Sequence, residues 1–461
     1  MNQAIQLKEK IGYGFGDFAS SMFWKIFSMF LMIYYTDVVE LSPASVGTML
    51  LLTRLWDGLN DPLMGIISDR TNTSKGKFRP YLLWVAVPFG IIGVLTFSTP
   101  SLGPSGKLIY AYITYTLMMM VYTAINVPYS SLMGVMTDDP NERTSLASFR
   151  FIGAYSGGIF MTASIPYLLD FFNEMGSSEA SSYQYTVSVY AIVAAFFFVM
   201  TYLWTRERVK PLNDKTSIWK DIKDLGNNAQ WFIMLGAGIA VLIFNSLRDG
   251  SIMYYFKYFV KDQSIPMIGE VKWDKLAGAY MTIWLATNMI GVLLAKPVSS
   301  RIGKKKTFIL AMLLASVFSI GLYWLNADQI GLIFLLNIFI GITAGIVLPL
   351  IWSMYADIAD YSEWKTGRRA TGLVFSSSSM SQKMGWTLGG AITGWLLAAY
   401  GFEANAEQSS ESIKGIKMII SIYPAVGAAV SALFILLYKL SDKYMLKILD
   451  ELKKQRLKSK A

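Results

Sequence analysis

Two aspartates in an otherwise apolar stretch carry most of the chemistry legible in this chain. The segment Arg54-Leu-Trp-Asp57-Gly-Leu-Asn60-Asp61-Pro separates Asp57 from Asp61 by four positions. On a helix both carboxylates then leave one face about one turn apart. Two buried anions that close need a cation between them or must share a proton. Oxygen ligands suit hard cations, so the site read from these residues is one for sodium or a proton, with Asp57 and Asp61 as its ligands. The alternative is a structural salt-bridge cluster with Arg54 or Arg150, or a helix end at Asp61-Pro62.

Further polar residues interrupt apolar stretches elsewhere: Lys25, Thr123, Asn126, Arg150, Arg248-Asp249 and Lys383. A charge at the centre of a membrane helix costs about 2.5 to 3.5 kcal/mol on insertion scales, so each marks a candidate functional position. Lys25 and Arg248 can equally snorkel or pair with neighbouring aspartates. Trp56, Trp352 and Trp386 offer flat faces to a sugar ring, although tryptophans in membrane helices more often pack or anchor. Ser376 to Ser379 with Ser381 suit close helix contact and interhelical hydrogen bonds.

The elements that must position these residues follow from composition. Of 461 residues, 54% are hydrophobic and 16% charged, far from the roughly 25% charged average of soluble domains. Apolar runs long enough for a bilayer predict helices at approximately 12–36, 44–69, 81–98, 108–136, 145–170, 184–205, 229–258, 274–297, 306–325, 329–357, 371–400 and 416–440. The chain is therefore expected to be an all-α membrane protein of twelve spans. Lys and Arg gather in alternate loops, such as Arg70 to Arg79, Arg206 to Lys223 and Arg301 to Lys306, which places those loops and both termini in the cytoplasm. The opposite loops are nearly free of cations, 259–273 with Lys261 and Lys272 being mixed. The net charge of +10 thus reflects topology, and no nucleic-acid partner is expected. The N-terminus lacks a short apolar core followed by a small-residue cleavage site, so the first run reads as a retained helix.

The polar stretch 206–228 divides the spans six and six. It predicts an N-terminal bundle over 1–205 with the cation site, a cytoplasmic middle loop, a C-terminal bundle over 229–440 and a basic tail over 441–461 that anionic lipid would attract. Pro128, Met133, Asp139 and Glu142 recur at constant offset as Pro349, Met354, Asp360 and Glu363, and Gly76-Lys77 recurs as Gly303-Lys304. Two such halves about an axis along the membrane normal form the major-facilitator plan. With zero His and zero Cys, thiolate chemistry, disulfides and most zinc or haem ligation are excluded, and an enzyme is not expected.

Over nearly its whole length the chain resembles the glycoside-pentoside-hexuronide cation symporters, the melibiose-permease branch of the major facilitators. The matching motifs are Tyr13-Gly-Phe-Gly16, Tyr34-Tyr-Thr-Asp-Val-Val39, Arg54-x-Trp-Asp57-x-x-Asn-Asp61-Pro, Gly76-Lys-Phe-Arg-Pro80, Asn126-x-Pro-Tyr129, Asp357-x-x-Asp360-Tyr-x-Glu363, Arg369 and Lys383. The resemblance implies that Asp57 and Asp61, with Thr123 and Asn60, hold the coupling sodium or proton. It places Arg150 and Lys383 near the sugar pocket, which takes Ser21, Lys25, Asn126, Arg248 and Trp352 as further candidates, and it makes Asp357, Asp360, Glu363 and Arg369 parts of cytoplasmic gate ion pairs.

Where galactoside carriers of this type use carboxylates on helices one and four, this chain has Ser21 and Asn126, with Ser130 in place of an aromatic neighbour. Removing two anions while retaining Lys25, Arg150, Arg248 and Lys383 favours an acidic sugar such as a uronide, with a neutral xyloside or glucoside close behind. The expected activity is import of a sugar or glycoside in symport with Na+ or H+, with no cofactor, by a monomer embedded in inner-membrane lipid. A lipid or lysolipid carrier on the same fold is the alternative.

Overall fold

The computed structural model describes residues 5–137, 140–208, 228–266, 269–366 and 371–458. Among them, twelve helical segments follow the twelve expected stretches: α1 Leu7–Met29, α2 Pro43–Arg70, α3 in two pieces Arg79–Trp84 and Ala86–Thr96, α4 Pro104–Met136, α5 Pro140–Glu174, α6 Glu179–Trp204, α7 Ala229–Tyr254, α8 Trp273–Ile302, α9 Lys304–Tyr323, α10 Ile330–Thr366, α11 Thr371–Ala399, and α12 in two pieces Ser410–Ile420 and Ile422–Leu436. A further helix, α13 Asp442–Lys458, occupies the basic tail, and a short hairpin pairs β1 Gln263–Ile265 with β2 Gly269–Val271. Helices dominate because lipid supplies no hydrogen bonds and each segment must satisfy its own backbone.

Eight of the described helices are long and apolar enough to cross a membrane, nine when α1 is joined to its continuation Leu31–Val38, which bends from it by 47°. α2 is interrupted by Arg54, Asp57 and Asp61, and α3 is broken at Val85. Several helices overrun the expected ends: α10 continues past 357 to Thr366, because the polar residues Asp360 and Glu363 lengthen the helix beyond its apolar run. Large apolar side chains such as Ile109, Ile113, Ile192, Leu293 and Leu433 are exposed, as a lipid-facing surface requires.

The chain forms two compact units. The first contains residues 1–213, 252–282 and 391–413; the second contains 214–251, 283–390 and 414–461. In the first, α1 packs along α5 and α6, and α2 along α4. Gly153 and Gly157 on α5 let the backbones meet: an added Cβ would strike the carbonyl oxygen of Gly14 at one position and of Phe18 at the other. This four-residue spacing of glycines is the small-residue device by which membrane helices approach closely. In the second unit α9 packs on α10 and α12, and α13 lies on α10.

The internal repeat has a structural counterpart. Gly76 and Gly303 both adopt positive φ, 115° and 88°, a conformation open to glycine at little cost. Each leads into a helix whose first amides meet an acid that follows the sixth helix of its half. Glu207 accepts from the N–H groups of Lys77, Phe78 and Arg79 at 2.8, 2.8 and 2.9 Å, and Asp442 accepts from that of Lys304 at 2.9 Å. Carboxylates at helix N-termini satisfy donors that the helix cannot. Pro128 and Pro349 both lie inside long helices, α4 and α10. The repeat diverges beyond them. Pro140 opens α5, so Glu142 stands in that helix's first turn and pairs with Lys10 at 3.0 Å, whereas Glu363 remains on α10. Asp139 lies outside the described residues.

Candidate functional site

α2 runs through Asp61 to Arg70, so the aspartate pair belongs to a continuous helix and not to a helix end. Its residues sort into two stripes. Thr53, Arg54, Asp57, Met64 and Ser68 are buried, whereas Leu52, Leu55, Trp56, Leu63, Ile66 and Ile67 are exposed. Trp56, 46% exposed, belongs to the exposed stripe and not to the one that carries Asp57.

α4 completes the acidic site. The Thr123 hydroxyl lies 2.8 Å from Asp57 Oδ1 and 2.9 Å from Asp61 Oδ1, bringing three of the four expected cation-site residues together. Asn60, the fourth, is half-buried beside them on α2. A hydroxyl has one proton and can donate to one carboxylate at a time. No described group of three or more acidic side chains is arranged to hold a metal. An ion held here would have two carboxylates with hydroxyl and amide oxygens around it.

Arg54 and Arg150, the two suggested structural partners of the pair, also make contacts elsewhere. Arg54 Nε donates to the Tyr115 hydroxyl at 3.1 Å, and its guanidinium lies 4.5 Å from the centre of the Trp24 ring. Arg150, on α5, pairs with Asp17 on α1, Nε to Oδ2 2.5 Å, and lies 5.3 Å from the Tyr129 ring. Its Nη2 reaches toward Ser130 Oγ at 3.4 Å. Asn126 is tied to α1 by Ser20, whose hydroxyl donates to Asn126 Oδ1 at 2.8 Å. Ser21 and Lys25 are half-buried on the same helix.

Sequence reasoning passed over Asp17 and Ser20. The signal was present for the first, since a carboxylate inside the span expected at 12–36 should have been counted with the other intramembrane charges. A second group also went unread, around Asp37 of the Tyr34-Tyr-Thr-Asp motif. Its buried carboxylate accepts from Lys257 Nζ at 2.6 Å, from the Thr36 hydroxyl at 2.7 Å and from the Tyr258 hydroxyl. Lys257 also donates to Asn405 Oδ1 at 2.9 Å, and Asn405 Nδ2 returns a hydrogen bond to the Asp37 carbonyl. All of these residues belong to the first unit.

In the second unit Arg248 is fully buried. It donates to Asn337 Oδ1 at 3.0 Å and lies 4.8 Å from the Trp284 ring. Trp352 on α10 and Lys383 on α11 are half-buried. Of the residues expected at the gate, Asp357 receives Lys304 Nζ at 2.6 and 2.8 Å, and Asp360 and Glu363 are half-buried further along α10. Arg369 lies outside the described residues, and the side chains of Ser376 to Ser379 are likewise outside them.

Residues 12–442 match the family described as MFS/sugar transport protein. The chain belongs to this family. The membership makes it a multi-pass membrane transporter of the major-facilitator type and not an enzyme. Among similar curated proteins, the putative glycoside/cation symporter YagG of Escherichia coli (strain K12) is 36% identical over 98% of this chain and 96% of its own length. The isoprimeverose transporter of Lactiplantibacillus pentosus is 34% identical over 99% of this chain and 93% of its own. Among solved structures, the nucleoside transporter NupG superposes with TM-score 0.62 at 15% identity, covering 94% of this chain and 99% of that one. The last likeness speaks to the fold alone.

Proposed function

We propose that the protein imports a glycoside in symport with Na+ or H+, with Asp57, Asp61 and Thr123 as the coupling site and Asn60 at its edge. The observation that carries this reading is the Thr123 hydroxyl held 2.8 and 2.9 Å from the two carboxylates on one buried face of α2. The relatives named for glycoside/cation symport and for isoprimeverose transport support the substrate class, and none of those described is named for lipid. Neutralising the acidic pair with a cation lets the adjoining polar groups order around a sugar. Coupling then requires that sugar raise the cation's affinity by the factor by which the cation raises that of sugar. One charge moving through 100 mV is worth about 2.3 kcal/mol, enough for roughly fifty-fold accumulation at one-to-one stoichiometry.

In this reading the protein works as a monomer in the inner membrane with both termini in the cytoplasm, and it needs no cofactor beyond the coupling ion. Ser21, Lys25, Asn126, Arg150, Arg248, Trp352 and Lys383 remain the substrate-site candidates, and Asp357, Asp360 and Glu363 with Arg369 the gate. The test is sodium- and pH-dependent uptake of a panel of glycosides into proteoliposomes. Gradient-driven accumulation is expected in the native protein and is expected to be lost in both Asp57→Asn and Asp61→Asn. Accumulation that survives both substitutions would remove the coupling role from the pair.

A further inference from the structure

We propose that Asp17 sets the charge selectivity of the substrate site by cancelling Arg150, which makes the carrier one for neutral glycosides. The inference rests on the reading above that Arg150 borders the sugar site. Retained cations in place of lost carboxylates had argued for an acidic sugar, yet Arg150 holds its own counter-ion at 2.5 Å. The carboxylate lies behind the guanidinium: the Asp17 side chain is 13% exposed, against 31% for Arg150. Arg150 keeps nitrogen donors for a sugar hydroxyl while the pair presents no net charge. Ser20, bonded to Asn126, and Ser130, close to the guanidinium, are neutral, and Lys25 is the half-buried cation further along α1.

The pair is held by backbone contact and not by side-chain fit alone. Gly153 lies three residues beyond Arg150, and Gly14 three before Asp17, so the glycine contact that seats α5 on α1 fixes both ends of the ion pair. Tyr13 and Tyr129 brace the same level, stacked at 4.8 Å, with the Tyr129 hydroxyl donating to the Tyr13 carbonyl at 2.6 Å. A guanidinium so placed meets any substrate group with its charge already balanced by Asp17. An isolated arginine at that position would recognise a carboxylate through two parallel hydrogen bonds.

The test uses methyl β-xyloside, methyl β-glucoside and methyl β-glucuronide, which differ only in the substituent on C5. Binding to the purified full-length protein is measured by calorimetry, which needs no ion gradient and so is separate from the transport test. Asp17→Asn keeps the shape of the side chain and leaves Arg150 uncompensated. Its affinity for the glucuronide relative to the neutral sugars is expected to rise about tenfold or more, the scale of a charge-assisted bidentate contact. The charge-balanced double variant Asp17→Asn/Arg150→Gln is expected to return that ratio to within about twofold of the native value, and it keeps the test open should the single variant fail to fold. Three results would overturn the proposal: native protein that already favours the glucuronide, an unchanged ratio in folded Asp17→Asn, or a folded double variant whose ratio stays shifted toward the glucuronide. Native protein that binds no glycoside, alongside an Asp17→Asn variant that gains the glucuronide, would uphold the role of Asp17 and sink the substrate reading instead.

Discussion

Asp37 joins parts of the chain far apart in sequence, the end of the first span to Lys257 after α7 and to Asn405 after α11, and its loss should open that end of the protein. The Asp37 side chain is 2% exposed, and the Lys257 side chain that meets it at 2.6 Å is 19% exposed. Removing one partner of a buried ion pair costs about 3 to 5 kcal/mol, because the other charge is left without compensation. Here Asn405 Oδ1 stays within 2.9 Å of Lys257, and the lysine retains some solvent. A value of about 2 kcal/mol for Asp37→Asn is then reasonable, equivalent to roughly a thirty-fold shift between closed and open forms.

The assay exploits the absence of cysteine from the chain. Met253, 2% exposed, lines a cavity of about 190 Å³ in the same unit, together with Phe30, Tyr183 and Trp273. A Met253→Cys protein should react slowly with a membrane-impermeant maleimide added from the side expected to face outward. Adding Asp37→Asn should raise that rate by about tenfold or more, within the thirty-fold shift worked above. Equal rates in the two proteins, with both folded, would refute the idea that this ion pair holds the end shut. Lys257→Met should act in the same direction but less strongly, because Thr36 and Tyr258 continue to donate to the carboxylate left behind.

Other changes follow from the same geometry. Thr123→Val should raise the sodium or proton concentration needed for half-maximal uptake by about tenfold while leaving the protein folded, since it removes one hydrogen-bonding hydroxyl and preserves shape; an ion dependence equal to the native one would count against Thr123 as a ligand. Glu207→Ala leaves three amide donors at the start of α3 without their acceptor and should cost about 1 to 2 kcal/mol, read as a lowered midpoint in a thermal scan; no change would show that water replaces it fully. Gly153→Leu should lower thermal stability and also the uptake rate, because the added side chain meets the Gly14 carbonyl, whereas exposed Ile109→Leu should alter neither.

How much of this was legible in the sequence depends on whether a feature is written in one segment or in two. Most of the twelve helical segments were readable as apolar runs, α2 despite Arg54, Asp57 and Asp61, and their ends were misjudged where a helix outlasts its apolar stretch, as α10 does from Asp357 to Thr366. The spacing of Asp57 and Asp61 was local and survived intact. Thr123 came from the resemblance and not from spacing, because nothing in α4 alone says that it faces α2. Pairings across helices were the weakest reading. Arg150 was assigned to the sugar with no account of Asp17, which lies 133 positions away. Glu207 and Asp442 gave no sign that each would receive the first amides of a distant helix.

The same distinction explains why counting intramembrane charges misleads about substrate. Four cations without two familiar carboxylates suggested a positive pocket, but charge count is a property of composition, whereas the potential felt by a ligand depends on which anion each cation already holds. Arg150 holds Asp17 at 2.5 Å, and Arg248 is enclosed with Asn337 and Trp284. Both pairings depend on how closely the helices pack, and close packing is encoded by glycine. The pair Gly153 and Gly157, silent in any tally of charged residues, brings α5 against α1 and so determines whether Arg150 reaches Asp17. On this argument a bulkier residue at Gly153 would change more than stability: with α1 and α5 held apart, the guanidinium would lose its counter-ion, and binding should shift toward acidic sugars in the same direction as in Asp17→Asn.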